Sequence, residues 1–401
     1  MSGVVMKSPI LKRVRGFQEA KQLMNLGLYP YFRPISSEQD TEVIIDGKKM
    51  LMLGSNSYLG LTNDARVKKA AADAVMKFGT GCAGSRFLNG TLSIHEELEE
   101  RLAALVGKES ALLFSTGFMV NQGVISALVG PHDYIITDKL DHASIVDGAR
   151  LAFGRRIKYE HNDMAGLEKK VQALPEDSGK LIAVDGVFSM DGDIADIPRL
   201  VEIAEASGAL LMVDEAHSIG VLGKHGEGST AHFGMSDRVQ LIMGTFSKSL
   251  AAIGGFVASD KDMIHYLRHN ARALMFSASP PPAMVAAVMA ALDIMEKEPE
   301  RLERLWHNTK RMENGLKEMG FQTGASETPI LPVEIGDYMK TFEYCKKLND
   351  NGVFVNPVVP PAVQPDQSLI RVSLMATHTD KQIDRALEIF ERIGREMGLL
   401  S

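Results

Sequence analysis

Leu210-Leu-Met-Val-Asp-Glu-Ala-His217 and Leu241-Ile-Met-Gly-Thr-Phe-Ser-Lys248 decide how this chain folds. Each is a short apolar run that ends abruptly in polar, ionisable residues. Such compact runs, bounded by helices or turns, read as strands. Outward from them, further strand-like runs occur at 111–114, 134–137, 157–160, 181–187 and 255–258. Amphipathic helical spacing accompanies them at 64–78, 93–106 and 197–205. Strand runs that alternate with helices or turns predict an α/β domain with a largely parallel sheet, and the strand ends of such a sheet gather polar residues in a crevice.

The flanks read differently. Residues 17–26 allow a helix that Gly27-Leu-Tyr-Pro30 interrupts, and the alternating runs 41–45 and 48–53 flank Asp46-Gly47, a hairpin signal. Gly54-Ser-Asn-Ser-Tyr-Leu-Gly60 reads as a loop. Beyond Pro280-Pro-Pro282 come an apolar helix at 284–295, a long helix at 298–319, strand runs at 330–335 and 369–374, and a helical ending at 379–396. These divisions predict an N-terminal arm with a small extended unit (1–60), a large domain (61–283) and a smaller C-terminal α+β domain (284–401).

Composition excludes several classes of function. Lys and Arg number 44 against 51 Asp and Glu, and the net charge of −7 offers no general attraction for nucleic acid. No apolar stretch reaches the roughly 18 residues of a spanning helix. The opening Met1-Ser-Gly-Val-Val-Met-Lys7 lacks the apolar core of a secretory signal. Cys82 and Cys345 stand far apart without metal-ligand spacing, so neither a disulfide framework nor a metal site is expected. A reducing cytoplasm is the expected compartment, compatible with transient contact at the surface of the inner membrane.

The chemistry concentrates in His142, Asp214, His217 and Lys248. A parallel sheet can bring such distant residues into one crevice. A carboxylate favours the protonated form of a pyridine nitrogen, and a desolvated lysine is an amine nucleophile. Taken singly, each residue has a bland reading: packing or surface histidines, a turn-capping aspartate, a solvent-facing lysine. Asp214-Glu-Ala-His217 alone also resembles an acidic motif of nucleic-acid-dependent ATPases, but Gly244-Thr-Phe-Ser-Lys248-Ser249 fails the spacing of a phosphate loop and lacks the glycine before its lysine. Asp191-Gly-Asp193 through Asp196 falls short of a calcium loop and reads as a turn. Ser115-Thr-Gly117-Phe118 is either a plain turn or a phosphate nest opening a helix.

These residues, with Gly54-Ser-Asn-Ser-Tyr-Leu-Gly60, Gly84-Ser-Arg-Phe-Leu-Asn-Gly90, Asp141-His-Ala-Ser144 and Asp185-Gly-Val-Phe-Ser-Met190, resemble the pyridoxal-phosphate α-oxoamine synthase family from about Tyr29 to the end. The resemblance implies fold type I, with a large seven-stranded, mostly parallel sheet domain and a smaller C-terminal domain. It implies pyridoxal 5'-phosphate as cofactor, joined to Lys248 as an internal aldimine. Asp214 would support the ring nitrogen, His142 would stack on the ring, and His217 with Thr245 or Ser189 would address its phenolic oxygen. Backbone at Gly117 and Phe118, Ser247, and Ser277 from the second copy of a homodimer would hold phosphate. A tyrosine is common in the family where Phe118 stands, so a hydroxyl contact is lost there. Asn56, Ser85, Arg86 and Arg371 would address the substrate, Arg371 by gripping its carboxylate. The implied reaction is decarboxylative condensation of an amino acid with an acyl-CoA, with Lys248 moving the α-proton and His142 orienting the substrate.

Within the family, Tyr29-Pro-Tyr-Phe-Arg33, Gly81-Cys-Ala-Gly84 with the segment to Gly90, and Asn356-Pro-Val-Val-Pro-Pro361 resemble the branch of bacterial serine palmitoyltransferases. That implies L-serine and palmitoyl-CoA as substrates, 3-ketodihydrosphingosine as product, and the first step of sphingolipid synthesis. Glycine C-acetyltransferase and 8-amino-7-oxononanoate synthase share the catalytic plan. A noncatalytic pyridoxal-phosphate-binding protein would share the cofactor site alone. The proline-rich segment after Asn356 is expected to be a loop, a stiff connection or an acyl-substrate gate.

Overall fold

In a computed structural model, residues 8–400 are described; the opening 1–7, where no secretory signal is expected, lie outside them. The strands, in chain order, are β1 (Glu42–Ile45), β2 (Lys48–Met52), β3 (Ser110–Phe114), β4 (Tyr134–Asp138), β5 (Arg155–Tyr159), β6 (Lys180–Asp185), β7 (Leu210–Asp214), β8 (Leu241–Thr245), β9 (Gly255–Ser259), β10 (Ile330–Gly336), β11 (Val353–Phe354), β12 (Asn356–Val358) and β13 (Ser368–Ser373). β3 to β9 form one seven-stranded sheet in the order β3-β9-β8-β7-β6-β4-β5. Only β9 runs against its neighbours.

Burial on both faces explains the unbroken apolar runs. Along β7, Leu211 and Val213 face one core with Val184, Ile242 and residues of the helices Ser93–Leu105, Ile197–Ser207 and Pro282–Lys297. Met212 faces the opposite core with Ala183, Met243 and residues of Gly117–Leu128, Ala143–Leu151 and Lys261–Asn270. Many of these helices start on a side-chain cap: Thr116 accepts from Met119 N, Asp196 from Arg199 N and Asp260 from Met263 N.

A smaller antiparallel sheet, β10-β13-β12, packs against the helices Glu300–Met319, Tyr338–Asp350 and Asp380–Glu396 through Leu305, Met312, Tyr344, Leu348, Ile383 and Phe390. The hairpin β1-β2 joins this end of the molecule, because β2 pairs in parallel with β11 and Leu51, Leu53 and Tyr58 enter the same core. Helix Pro282–Lys297 sits with the large sheet instead, where Val285, Val288 and Ala291 meet the helices Ala65–Phe78 and Ser93–Leu105.

Two expectations need correction. Residues 186 and 187, read as the end of a strand, leave the sheet after Asp185: Gly186 N still donates to Asp214 O, but Val187 makes only an isolated bridge to Ile194. Residues 356–358, read as the start of a loop, form the short edge strand β12 beside β13. An edge tolerates Pro357 because one side of the strand needs no ladder partner. Among the described residues no helix is long and apolar enough to cross a membrane.

Candidate active site

Asp185, Asp214 and Thr245 are the last residues of β6, β7 and β8, and Asp185 lies directly beside Asp214 in the ladder. Lys248 follows β8 by three residues, and the turn after β4 delivers His142. All open into one cavity of about 330 Å³. Gly117, Phe118, His142, Ser189, Asp214, His217, Thr245, Ser247 and Lys248 line it together, with Thr116, Ser144 and Asp185 among the others. The sheet therefore assembles the expected constellation at the carboxyl ends of its parallel strands, where the polar chain leaves the apolar ladder.

Burial sets the charges there. Removal from water pulls the Lys248 amine down to about 8, although Asp214 and Asp185 work in the opposite direction. His217 is held well below the usual histidine range by burial and then by the positive charges of Lys248 and Arg371, so its ring is neutral. Its Nδ1 lies 2.7 Å from the hydroxyl of the fully buried Tyr58. Burial, and then the neighbouring Asp214, push the Asp185 carboxyl well above the usual range. Asp185 Oδ2 also accepts the backbone N–H of His142 at 2.6 Å, which pins the turn that carries the histidine.

The donor set matches pyridoxal phosphate at three points. Helix Gly117–Leu128 opens at the cavity wall, and Ser247 lies in the same wall, which offers N–H and hydroxyl donors to a phosphate. Gly117 is obligatory there: a Cβ would come within 2.7 Å of Thr245 Oγ1. The Asp214 carboxylate suits a protonated ring nitrogen, and the depressed Lys248 amine suits a carbonyl carbon. The Phe118 and His142 rings stand edge to face with centroids 6.2 Å apart.

Arg371, on β13, reaches this region from the smaller sheet. Its Nε donates to Ser189 O at 2.6 Å, and its Nη1 to Asn56 Oδ1 at 3.0 Å and Ser373 Oγ at 2.7 Å. It is only 7% exposed, and no carboxylate lies within ion-pair distance of it among the described residues. A buried guanidinium with only neutral partners is a waiting site for an anion.

Five expected residues do not line the cavity of the single chain: Asn56 and Arg371, which meet beside it, and Arg86, Ser85 and Ser277. Arg86 is engaged elsewhere: its guanidinium pairs with both oxygens of Glu99, at 2.8 and 3.2 Å, and both side chains are 6% exposed. In the single chain this ion pair ties the loop to helix Ser93–Leu105. Ser85 is buried with its hydroxyl unpartnered, and Ser277 meets Met119 Sδ at 4.0 Å. Conversely, Tyr58, Asn121 and Asp185 belong to the site although sequence reading assigned them no role. Asp185 had a usable signal, since it ends an apolar run just as Asp214 does. Asn121, followed by Gln122 in its helix, gave a weaker one.

The comparisons with known proteins agree with this geometry. The family model for class I and II aminotransferases matches residues 48–390. A serine palmitoyltransferase of Sphingobacterium spiritivorum is 59% identical over 97% of this chain and 98% of its own length. Another, of Bacteroides ovatus, is 55% identical over 95% and 96%. The solved structure of a serine palmitoyltransferase variant from S. paucimobilis, with a bound PLP–myriocin aldimine, superposes with a TM-score of 0.95 at 36% identity, covering 98% of this chain and all of that one. The fold is that of the fold type I pyridoxal-phosphate enzymes. A cavity that matches pyridoxal phosphate group by group, in a chain alike end to end to these proteins, makes this a pyridoxal-phosphate-dependent acyltransferase that belongs to the α-oxoamine synthase family.

Proposed function

We propose that the protein is a serine palmitoyltransferase, which condenses L-serine with palmitoyl-CoA and releases CoA, carbon dioxide and 3-ketodihydrosphingosine. The observation that carries the reading is the near-full-length likeness to proteins of that name, at 59% and 55% identity. Arg371 supplies the physical complement, a buried cation whose Nη2 is not used by the bonds to Ser189, Asn56 and Ser373 and can donate to the carboxylate of an amino acid. Bound pyridoxal phosphate supplies an electron sink for negative charge at the α-carbon. Lys248, with its amine drawn down to about 8, takes the α-proton and later returns one. Asp214 would hold the proton on the ring nitrogen of the bound cofactor, and His142 would lie against its ring and orient the substrate.

Purified protein given pyridoxal phosphate and every pairing of serine, glycine and alanine with acetyl-, pimeloyl- and palmitoyl-CoA should make 3-ketodihydrosphingosine as its dominant organic product. Product must be measured directly, because thioester hydrolysis also frees CoA. Dominant turnover of glycine with acetyl-CoA, or of alanine with pimeloyl-CoA, selects the sister activities. No condensation with any pair selects a noncatalytic cofactor-binding protein.

The proposal includes a cytoplasmic homodimer. Ser277, next to the 79%-exposed Phe276, lies outside its own chain's cavity and is free to complete a partner's phosphate pocket. Sedimentation should give twice the chain mass of 43.8 kDa. A fully active monomer would contradict it.

A further inference from the structure

His142 opens helix Ala143–Leu151, and its ring serves as the helix cap: Nδ1 accepts the backbone N–H of Ser144 at 3.2 Å. Ser144 Oγ lies 2.7 Å from the same Nδ1. On its other side, that hydroxyl is 2.7 Å from Asn121 Nδ2, and Asn121 Nδ2 is 2.7 Å from Asp214 Oδ2. Asn121, Ser144 and Asp214 are at most 3% exposed, so water does not compete for these bonds.

Counting hydrogens gives the chain a direction. Asp214 Oδ1 accepts the backbone N–H of Ala216 at 2.9 Å, so both carboxylate oxygens face nitrogen donors. Asn121 must therefore turn its NH2 toward Asp214, because its own oxygen at that distance would meet a second acceptor with no hydrogen between them. The two N–H bonds of Asn121 are then assigned, one to Asp214 and one to Ser144 Oγ. The Ser144 hydroxyl, already an acceptor, sends its hydrogen to His142 Nδ1. With a backbone N–H and a hydroxyl both aimed at it, Nδ1 has no place for a hydrogen of its own.

We propose that Asn121 and Ser144 are positioning residues that link the Asp214 carboxylate to His142 and hold its ring in the single tautomer with hydrogen on Nε2. Nε2 makes no protein hydrogen bond among the described residues, and the ring lines the cavity, so its N–H is a fixed donor for a ligand oxygen. Burial, with Lys248 adding to it and Asp214 opposing it, keeps the ring below the ordinary histidine pKa and so favours the neutral form that the tautomer requires. The unpartnered Asn121 Oδ1 fits the same picture, since satisfying Asp214 with the NH2 group turns the amide oxygen into the dry core.

Heteronuclear NMR of the holoenzyme labelled with nitrogen isotope in histidine tests the relay, with the His142 signals assigned by their loss in His142→Asn. The native spectrum should show a bare Nδ1 and a protonated Nε2. Ser144→Ala and Asn121→Ala should both move the Nδ1 signal toward that of an imidazole nitrogen without a hydrogen-bond donor, although Asn121 itself never touches the ring. Ser144→Thr, which keeps the hydroxyl, should restore the native position. A native ring protonated on Nδ1, or an Nδ1 signal unmoved by Ser144→Ala, overturns the proposal. If Asn121→Ala does not fold, the contrast between Ala and Thr at 144 decides alone. With the best substrate pair, kcat should fall roughly fivefold to tenfold in Ser144→Ala, the effect of one hydrogen bond, with amino-acid KM within about twofold. The resonance test is independent of the amino acid used, so it stands even where the serine assignment falls.

Discussion

Replacing Lys248 with alanine should lower turnover by at least about a thousandfold, the usual range for removing both a covalent anchor and the acid–base group of one reaction. Borohydride reduction followed by peptide mass spectrometry should place the pyridoxyl group on Lys248 in the native enzyme and on no residue in the variant. Label on another lysine, or a variant that keeps a tenth of native activity, would sink the assignment. The burial of the amine has its own consequence for uptake of the cofactor by apoenzyme. Only the neutral amine attacks a carbonyl. At pH 7 a pKa of about 8 leaves about one amine in ten neutral, against about one in three thousand for an exposed lysine. The uptake rate should therefore rise with pH and level off above about 8. A rise that continues toward 10.5, the ordinary lysine value, would mean an open, solvated amine.

Most strands of the large sheet could be read because they are short apolar runs closed by polar residues, as β6, β7 and β8 are, and the hairpin because Asp46-Gly47 takes positive φ at both turn positions. The helices Gly117–Leu128 and Ala143–Leu151 were not legible from propensity. Both carry an interior glycine, which disfavours a helix in isolation. The structure shows why those glycines stand there. A Cβ on Gly148 would come within 2.8 Å of Asn121 O, so the two helices cross too closely there for a side chain, and one on Gly123 would come within 2.8 Å of a ring carbon of Phe114 on β3. Tertiary packing overrides local preference at the place where Asn121 meets Ser144. The cavity residues were visible as strand-end polar groups. For Arg86 residue type is silent: an arginine in a glycine-containing loop has the same appearance whether it meets a ligand or a buried glutamate, and its pairing with Glu99 depends on distances in the fold. Tyr58 and Asn121 act through other side chains, and such roles depend on distances that residue type does not encode.

Arg371→Ala should raise the KM for the amino acid by about a hundredfold, with the KM for acyl-CoA and the cofactor content unchanged within about twofold. Losing one side of a buried, hydrogen-bonded charge pair costs about 2–5 kcal/mol, which brackets that factor. The free enzyme, by contrast, should not lose much stability, because the guanidinium it sheds is buried beside neutral partners only: Ser189 O, Asn56 Oδ1 and Ser373 Oγ. The two effects separate recognition from scaffolding. Serine at saturating concentration should raise the melting temperature of native holoenzyme, because a ligand that binds only the folded state stabilises it by mass action. That increment should vanish in Arg371→Ala while the melting temperature without serine changes little. Arg371→Lys should recover only a small part of the affinity. An ammonium that kept three bonds to Ser189, Asn56 and Ser373 would have no hydrogen left for a carboxylate, whereas the guanidinium makes those three bonds through Nε and Nη1 and still has Nη2 to offer. A variant that binds serine as tightly as the native enzyme would show that the carboxylate is held elsewhere, and one that melts far below it would show that Arg371 mainly braces β13 against the loop that carries Ser189.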